Sequence, residues 1–467
     1  MRWLVLAVAM LAAAGARADP PLHRADPVIV APALGRADVP VARTLYLDRC
    51  VGGCTVHGTM VDDATTSSSS IPETGTYQLG AFAYSDAEWA AIVACVTEVY
   101  SPYAITITET EPSASTYYNK ALVAGLPTDV KLDTSTLGIA LLSGDCHPLG
   151  NSLAFVFANV HPHDATFVTN VCWTVTQESA HLYGLDHEFV FTDGVSACRD
   201  PMTYRGDCGG EKFFRPHEAF CGRVAEEHCR CGEAQSSHRL LVERFGSAAP
   251  TTAPPEVVIT QPPGPGSLAA GASIVAHASA QRGIDHVALL LNGYPWVTVP
   301  GVAFGGSGQP GADYTLALPA DVPDGVIDVA VAAYDDLGTV TTTPALTMTK
   351  GEPCASAATC AAHQSCSEGR CAWAPPTAAL DDECEYVQQC ASGLCIRGRC
   401  SQACDIDDAT TCPEHFACDG IGSNTDGVCS RTSAEAAGCC DAGGSPAGGL
   451  ILALLVLMRM RMRSRRR

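Results

Sequence analysis

Twelve cysteines fall between Cys354 and Cys429, and that spacing constrains the chain more than any other feature. So few apolar side chains lie among them that no ordinary core can form there, and disulfides must hold the region instead. CSEGRC, from Cys366, and CIRGRC, from Cys395, look like one small unit used twice. A zinc ribbon fits less well, because the spacings are irregular and exported thiols oxidise. The acidic run Asp405 to Asp408 is a candidate Ca²⁺ loop, against the simpler reading of a solvated acidic loop. With 24 cysteines in all, the chain is expected outside the reducing cytoplasm.

The first residues agree. A basic start, an apolar run from Trp3 to Ala14 and an Ala16-x-Ala18 pattern predict a signal peptide over 1–18, cut before Asp19. The net charge is −22, and eight arginines lie in terminal segments, so the rest of the chain carries −30. Such a surface repels phosphate backbones and excludes nucleic acid as a natural partner. At the other end, 433–467, come the pair Cys439-Cys440, an apolar run from Leu450 to Met458 and an arginine cluster from Arg459. That run is too short to span about 30 Å of hydrocarbon comfortably. The three parts in this order resemble myxobacterial C-terminal sorting tails, which implies transient membrane association, processing near the cysteines and display at the cell surface. A simple tail anchor with its arginines held inside is the alternative.

A chain of 467 residues divides into roughly three units at about 100–200 residues each. Residues 19–45 read as a pro-segment or an extended arm. From 46 to 246 helix and strand patterns mix. Ser85 followed by Glu88 is a capping box, and Trp89, Ile92, Val96 and Val99 then share one helical face. Short apolar runs follow in AITITETEP, LGIALL and SLAFVFAN, and a second helix is expected from near Asp164 through Gly184. Helix, strands and helix in that order predict an α/β layer. A Pro/Ala/Thr linker over 247–255 leads to 256–350, where about seven strand-like runs without cysteine predict an all-β sandwich resembling immunoglobulin-like modules. The disulfide-rich region is assigned to 354–432.

The stretch that carries chemistry is TQESAHLYGLDHE, Thr176 to Glu188. Gln177 and His181, four apart, project from one helical face and can meet one metal ion, with Glu178 beside them. The helix must then end for His187 to swing round as a third ligand, and Gly184 permits that turn. Three protein ligands leave a position on zinc for water, which the adjacent carboxylate can deprotonate. Fifteen residues after His187 comes Met202, within Asp200-Pro201-Met202-Thr203-Tyr204.

The two stretches together resemble the metzincin metallopeptidases, whose motif is His-Glu-x-x-His-x-x-Gly-x-x-His followed by a methionine turn. The resemblance covers about residues 45–245 and implies a metzincin-like catalytic domain of α/β type. It implies Zn²⁺ held by Gln177, His181 and His187, with Glu178 as catalytic base. It further implies Met202 beneath the metal, Tyr204 at the developing oxyanion, and a protein or peptide substrate. The departure is Gln177, where the family has histidine: an amide oxygen is a harder, weaker zinc donor than imidazole. Two functions follow, an exported zinc-dependent endopeptidase or a catalytically inactive surface protein that keeps the shape for binding or adhesion. A polar helix cap would explain the histidines alone, but neither Gly184 nor the Met-x-Tyr downstream. His147, His161, His163 and His217 read as surface or loop residues, with His161 and His163 placed to line a cleft. Cys50 and Cys54 read as a local disulfide.

Overall fold

In the computed structural model the described residues are 25–31, 41–205, 211–301, 311–405, 412–413, 415–420 and 426–431. The expected signal peptide, the sorting tail and most of the Asp405–Asp408 run lie outside them. The chain is mostly β-sheet with few helices, and it ends in a disulfide-rich region. No described helix is long and apolar enough to cross a membrane. Two compact units divide it, one reaching Pro353 with Glu368–Arg370 and the other holding the remaining C-terminal residues.

The first unit begins with β1 (Val28–Val30), β2 (Thr44–Asp48), α1 (Asp86–Tyr100), β3 (Thr106–Thr108) and β4 (Asn119–Val123). It continues with β5 (Gly138–Ile139), β6 (Leu141–Ser143), β7 (Leu153–Val156), α2 (Phe167–Leu182), β8 (Glu188–Phe191), β9 (Ala219–Cys221) and α3 (Ser237–Phe245). Both halves of the Ser85/Glu88 capping box form at the start of α1, and Trp89, Ile92, Val96 and Val99 are buried. One mixed sheet runs in the order β3-β2-β4-β7-β5, parallel except for its edge strand β5, which pairs antiparallel with β7. α1 and α2 share its core with Leu45, Ala121 and Val156, and a Cys95–Cys172 disulfide ties the two helices together.

α2 starts three residues later than the sequence suggests. Asp164 lies outside its first turn, because its carboxylate accepts from the Thr166 amide and hydroxyl and closes a local turn ahead of the helix. At the other end the expectation for Gly184 holds. Leu182 is the last helical residue, Gly184 has φ +83°, and the Gly184 and Leu185 amides return to the His181 and Ala180 carbonyls. That is a Schellman cap. A Cβ at 184 would also lie 2.1 Å from the Cys146 carbonyl oxygen, so only glycine fits.

Beyond 255 the chain forms two facing sheets. One is ordered Glu256–Gln261, Ser273–Ser279, Gly311–Ala317; the other is built around Gly325–Tyr334 and His286–Leu291. Alternate side chains such as Ile274, Ala276, Leu289, Leu316, Val329 and Val331 fill the core between them. The run TVTTTPALTM is two strands, Val340–Thr342 and Leu346–Lys350, interrupted around Pro344, which cannot donate to a ladder.

These strands are locked to the first helices' layer by a buried ion cluster. Asp336 accepts from Arg282 Nε at 2.6 Å and faces Arg215 Nη1 at 2.9 Å, and the three side chains are almost wholly buried. Arg282 also donates to the Phe214 carbonyl and Arg215 to that of Arg282.

In the second unit the disulfides interlace first to third and second to fourth, three times over: Cys354–Cys366 with Cys360–Cys371, Cys384–Cys395 with Cys390–Cys400, and Cys404–Cys418 with Cys412–Cys429. The unit read twice in the sequence is thus a pairing pattern used three times. Cys50–Cys54 is a local disulfide as expected.

Candidate functional site

The Schellman cap does more than stop α2. It turns the Leu185 carbonyl back on the helix, where it accepts from His181 Nδ1 at 2.8 Å. His187 follows three residues past Gly184, and its Nδ1 lies 3.2 Å from the Met202 carbonyl, which also accepts from the Glu188 amide. The two rings stand edge to face with centroids 4.4 Å apart. A histidine that gives its Nδ1 proton to a carbonyl keeps a lone pair on Nε2, the arrangement metal-ligating histidines adopt. Burial pushes the His181 imidazole down to about 4, the Leu185 carbonyl opposing, so it is neutral at ordinary pH.

Gln177 completes the group. Its Nε2 donates to the Thr203 carbonyl at 3.1 Å and approaches His187 Nδ1 at 3.3 Å. With the Nδ1 proton assigned toward Met202, the Thr203 bond is the one that orients the amide. Gln177, Glu178 and His181 are fully buried and His187 nearly so. Gln177 Oε1 and His181 Nε2 meet no hydrogen-bond partner among the described residues. A buried polar atom left so costs about 1–3 kcal/mol. Two on one helix face, with the His187 ring against them, have the donor chemistry of a metal site: two imidazole nitrogens and one amide oxygen. These residues therefore fit a zinc ion.

Glu178 owes its place to a glycine. A Cβ on Gly138 would lie 2.7 Å from Glu178 Cγ and from Thr174 Cγ2, and 2.9 Å from Glu178 Oε1. Gly138 opens β5, so the carboxylate rests against bare strand backbone. Its signal in the sequence was a glycine inside the apolar run LGIALL, which marks a close approach.

The Met202 side chain is wholly buried in the main core with Tyr183 and Leu185. Its turn is held by Asp200, whose carboxylate accepts from the Met202 and Arg215 amides and the Ser237 hydroxyl. Burial lifts Asp200 to about 6 against those bonds, and burial with the Asp200 charge raises Glu188 well above the usual carboxylate range. The Tyr204 ring packs on His187 with centroids 3.9 Å apart. Its hydroxyl donates to Asp26 Oδ1 at 2.6 Å. Burial, then that carboxylate, holds the phenol above its ordinary range. A cleft of about 520 Å³ opens here, lined by Asp26, Pro27, His187, Tyr204, Arg223 and Arg230 among others.

The other histidines go elsewhere. His163 pairs with Glu88 at 2.6 Å and stacks on Tyr84, while exposed His147 faces Asp145. His161 is buried rather than a surface residue, and His217 packs on Phe191. Cysteine triplets such as Cys354, Cys360 and Cys371 lie close enough to suit a metal, but their sulfurs are already joined in disulfides. Asp26, Gly138, Thr203 and Arg223 were not singled out by the sequence.

No family model and no curated protein matches the chain. Among solved structures, the fibronectin(III)-like modules of Clostridium thermocellum CbhA are 22% identical over 22% of this chain, with a TM-score of 0.17. The match spans half of that protein's length. A TM-score so low carries no argument about the fold.

Proposed function

We propose that residues 46–246 are a metzincin-like zinc metallopeptidase, exported and acting on protein or peptide substrates. The observation that carries this reading is the triad on and after α2: His181 and His187 with their Nδ1 atoms turned to backbone carbonyls, and Gln177 Oε1 buried without a partner among the described residues. Gln177, His181 and His187 would hold the ion. A zinc ion bound there supplies a Lewis acid that polarises a carbonyl and acidifies water. Glu178, held by Gly138, takes a proton from the attacking water and returns it to the leaving amine. The Tyr204 hydroxyl, once free of Asp26, donates to the oxyanion that develops on the scissile carbonyl. Thr203 keeps the Gln177 amide from rotating. The ten disulfides that join described residues favour an oxidising, extracellular setting.

A second reading, a non-catalytic binding module of the same shape, has one observation in its favour. The Gln177 amide nitrogen donates to the Thr203 carbonyl and lies 3.3 Å from His187 Nδ1, packed as a purely structural residue would be. Glu178→Gln separates the two. The peptidase reading expects casein cleavage in the wild type and a fall of several orders of magnitude in the variant, with zinc content unchanged. Zinc-free wild-type protein that cleaves nothing supports the binding module.

A further inference from the structure

Residues 25–31 lie along the strand edge that carries Gly138. β1 runs parallel to β6, with Val28 opposite Leu141, Ile29 opposite Leu142 and Val30 opposite Ser143. The Ala25 amide donates to the Gly138 carbonyl at 3.1 Å and the Val28 amide to that of Ala140 at 2.9 Å. Between these two anchors, Asp26 reaches the opposite wall of the cleft. Its Oδ1 accepts from the Tyr204 hydroxyl at 2.6 Å and its Oδ2 faces Arg223 Nη1 at 3.3 Å. The Arg223 guanidinium lies over the Tyr204 ring, 5.2 Å from its centroid, and that ring in turn packs on His187.

The arm thus has the two components of strand recognition. Main-chain pairing along β6 supplies affinity, and a side-chain pocket supplies selectivity. The pocket's chemistry is specific. A phenol donor and a guanidinium converge on one carboxylate, a charge-assisted arrangement that a neutral side chain cannot replace.

We propose that Tyr204 and Arg223 form a carboxylate-binding subsite beside His187, that Asp26 fills it as an internal ligand, and that the strand it takes when the arm leaves is a peptide bearing a carboxylate in the same register, held through Arg223 once the Tyr204 hydroxyl turns to the oxyanion. Naming that strand a substrate rests on the peptidase reading; the subsite itself does not. The arm and an acidic peptide compete for one place, so the arm sets both access and preference.

The test measures binding and needs no turnover. In the full chain, Asp26→Ala with Val28→Pro removes the carboxylate and the amide that donates to Ala140. A labelled peptide of residues 25–31, ADPVIVA, is titrated by fluorescence anisotropy. The double variant is expected to bind it at least about tenfold more tightly than the wild type, whose arm competes. The same peptide with alanine in place of the aspartate is expected to bind about tenfold more weakly. Adding Arg223→Ala to the double variant is expected to shrink that difference. Equal binding of the two peptides, or no binding of ADPVIVA by the folded double variant, overturns the proposal. If the double variant does not fold, amide exchange at β1 decides: Arg223→Gln in the otherwise wild-type chain is expected to speed it about tenfold, and an unchanged rate overturns the proposal. Because no cleavage is measured, a protein without peptidase activity leaves the binding result intact, and a failed titration leaves the zinc and casein results intact.

Discussion

Gly138 and Glu178 are packed so closely that a Cβ on the glycine would lie 2.7 Å from the glutamate Cγ. Thr174 Cγ2, one turn earlier on the same helix, is as near, so a methyl group at 138 presses on both side chains of that face at once.

Gly138→Ala is therefore expected to move the Glu178 carboxylate while leaving the imidazoles in place. Peptide turnover should fall about a hundredfold, the scale of an ångström's misplacement, with zinc affinity little changed. Assays of kcat and zinc content on one preparation check this. Unaltered turnover would remove Glu178 from its role as base.

Asp336→Ala should destabilise the first unit by about 3–5 kcal/mol, because it leaves the buried Arg215 and Arg282 without their shared carboxylate. Urea denaturation reads the loss. A shift within experimental error would mean that water relieves both guanidinium groups.

The Asp200 carboxyl gives a pH dependence whose sign can be fixed. Its folded value, about 6, lies above the 3.8 of an ordinary aspartate, so the native state holds the proton more tightly than the unfolded chain. Its contribution to stability is present below the unfolded value and is lost as pH rises through about 6. Asp200→Asn should remove that downward contribution between these limits. Denaturation midpoints of both chains at several pH values measure it. Parallel pH profiles would contradict the assignment.

What the sequence made legible was local. The Ser85/Glu88 box, the helical face from Trp89 to Val99, Gly184 at the helix end and the spacing of His181 and His187 depend on residues within a few turns of each other, and periodicity and cap chemistry report such relations directly. The start of α2 is not legible in the sequence because Asp164 serves a turn as readily as a helix. Asp26 meeting Tyr204, Gly138 meeting Glu178 and Asp336 meeting Arg215 join residues far apart in the chain, and no local pattern encodes those pairs. The threefold disulfide pairing was hidden for a related reason: cysteine positions alone allow several connectivities. Whether Gln177 serves the ion through its oxygen depends on one amide orientation, which only the Thr203 carbonyl reveals.

That orientation yields the most direct measurement. Zinc affinity is determined by competition with a chromophoric chelator at fixed pH for the wild type, His181→Ala and Gln177→His. If Gln177 Oε1 shares the ion with His181 and His187, one zinc binds per chain, His181→Ala weakens it, and Gln177→His tightens it by about tenfold or more, since zinc favours imidazole over an amide oxygen. A wild type and Gln177→His of equal affinity, or an His181→Ala chain that keeps its zinc, would contradict the site described for α2.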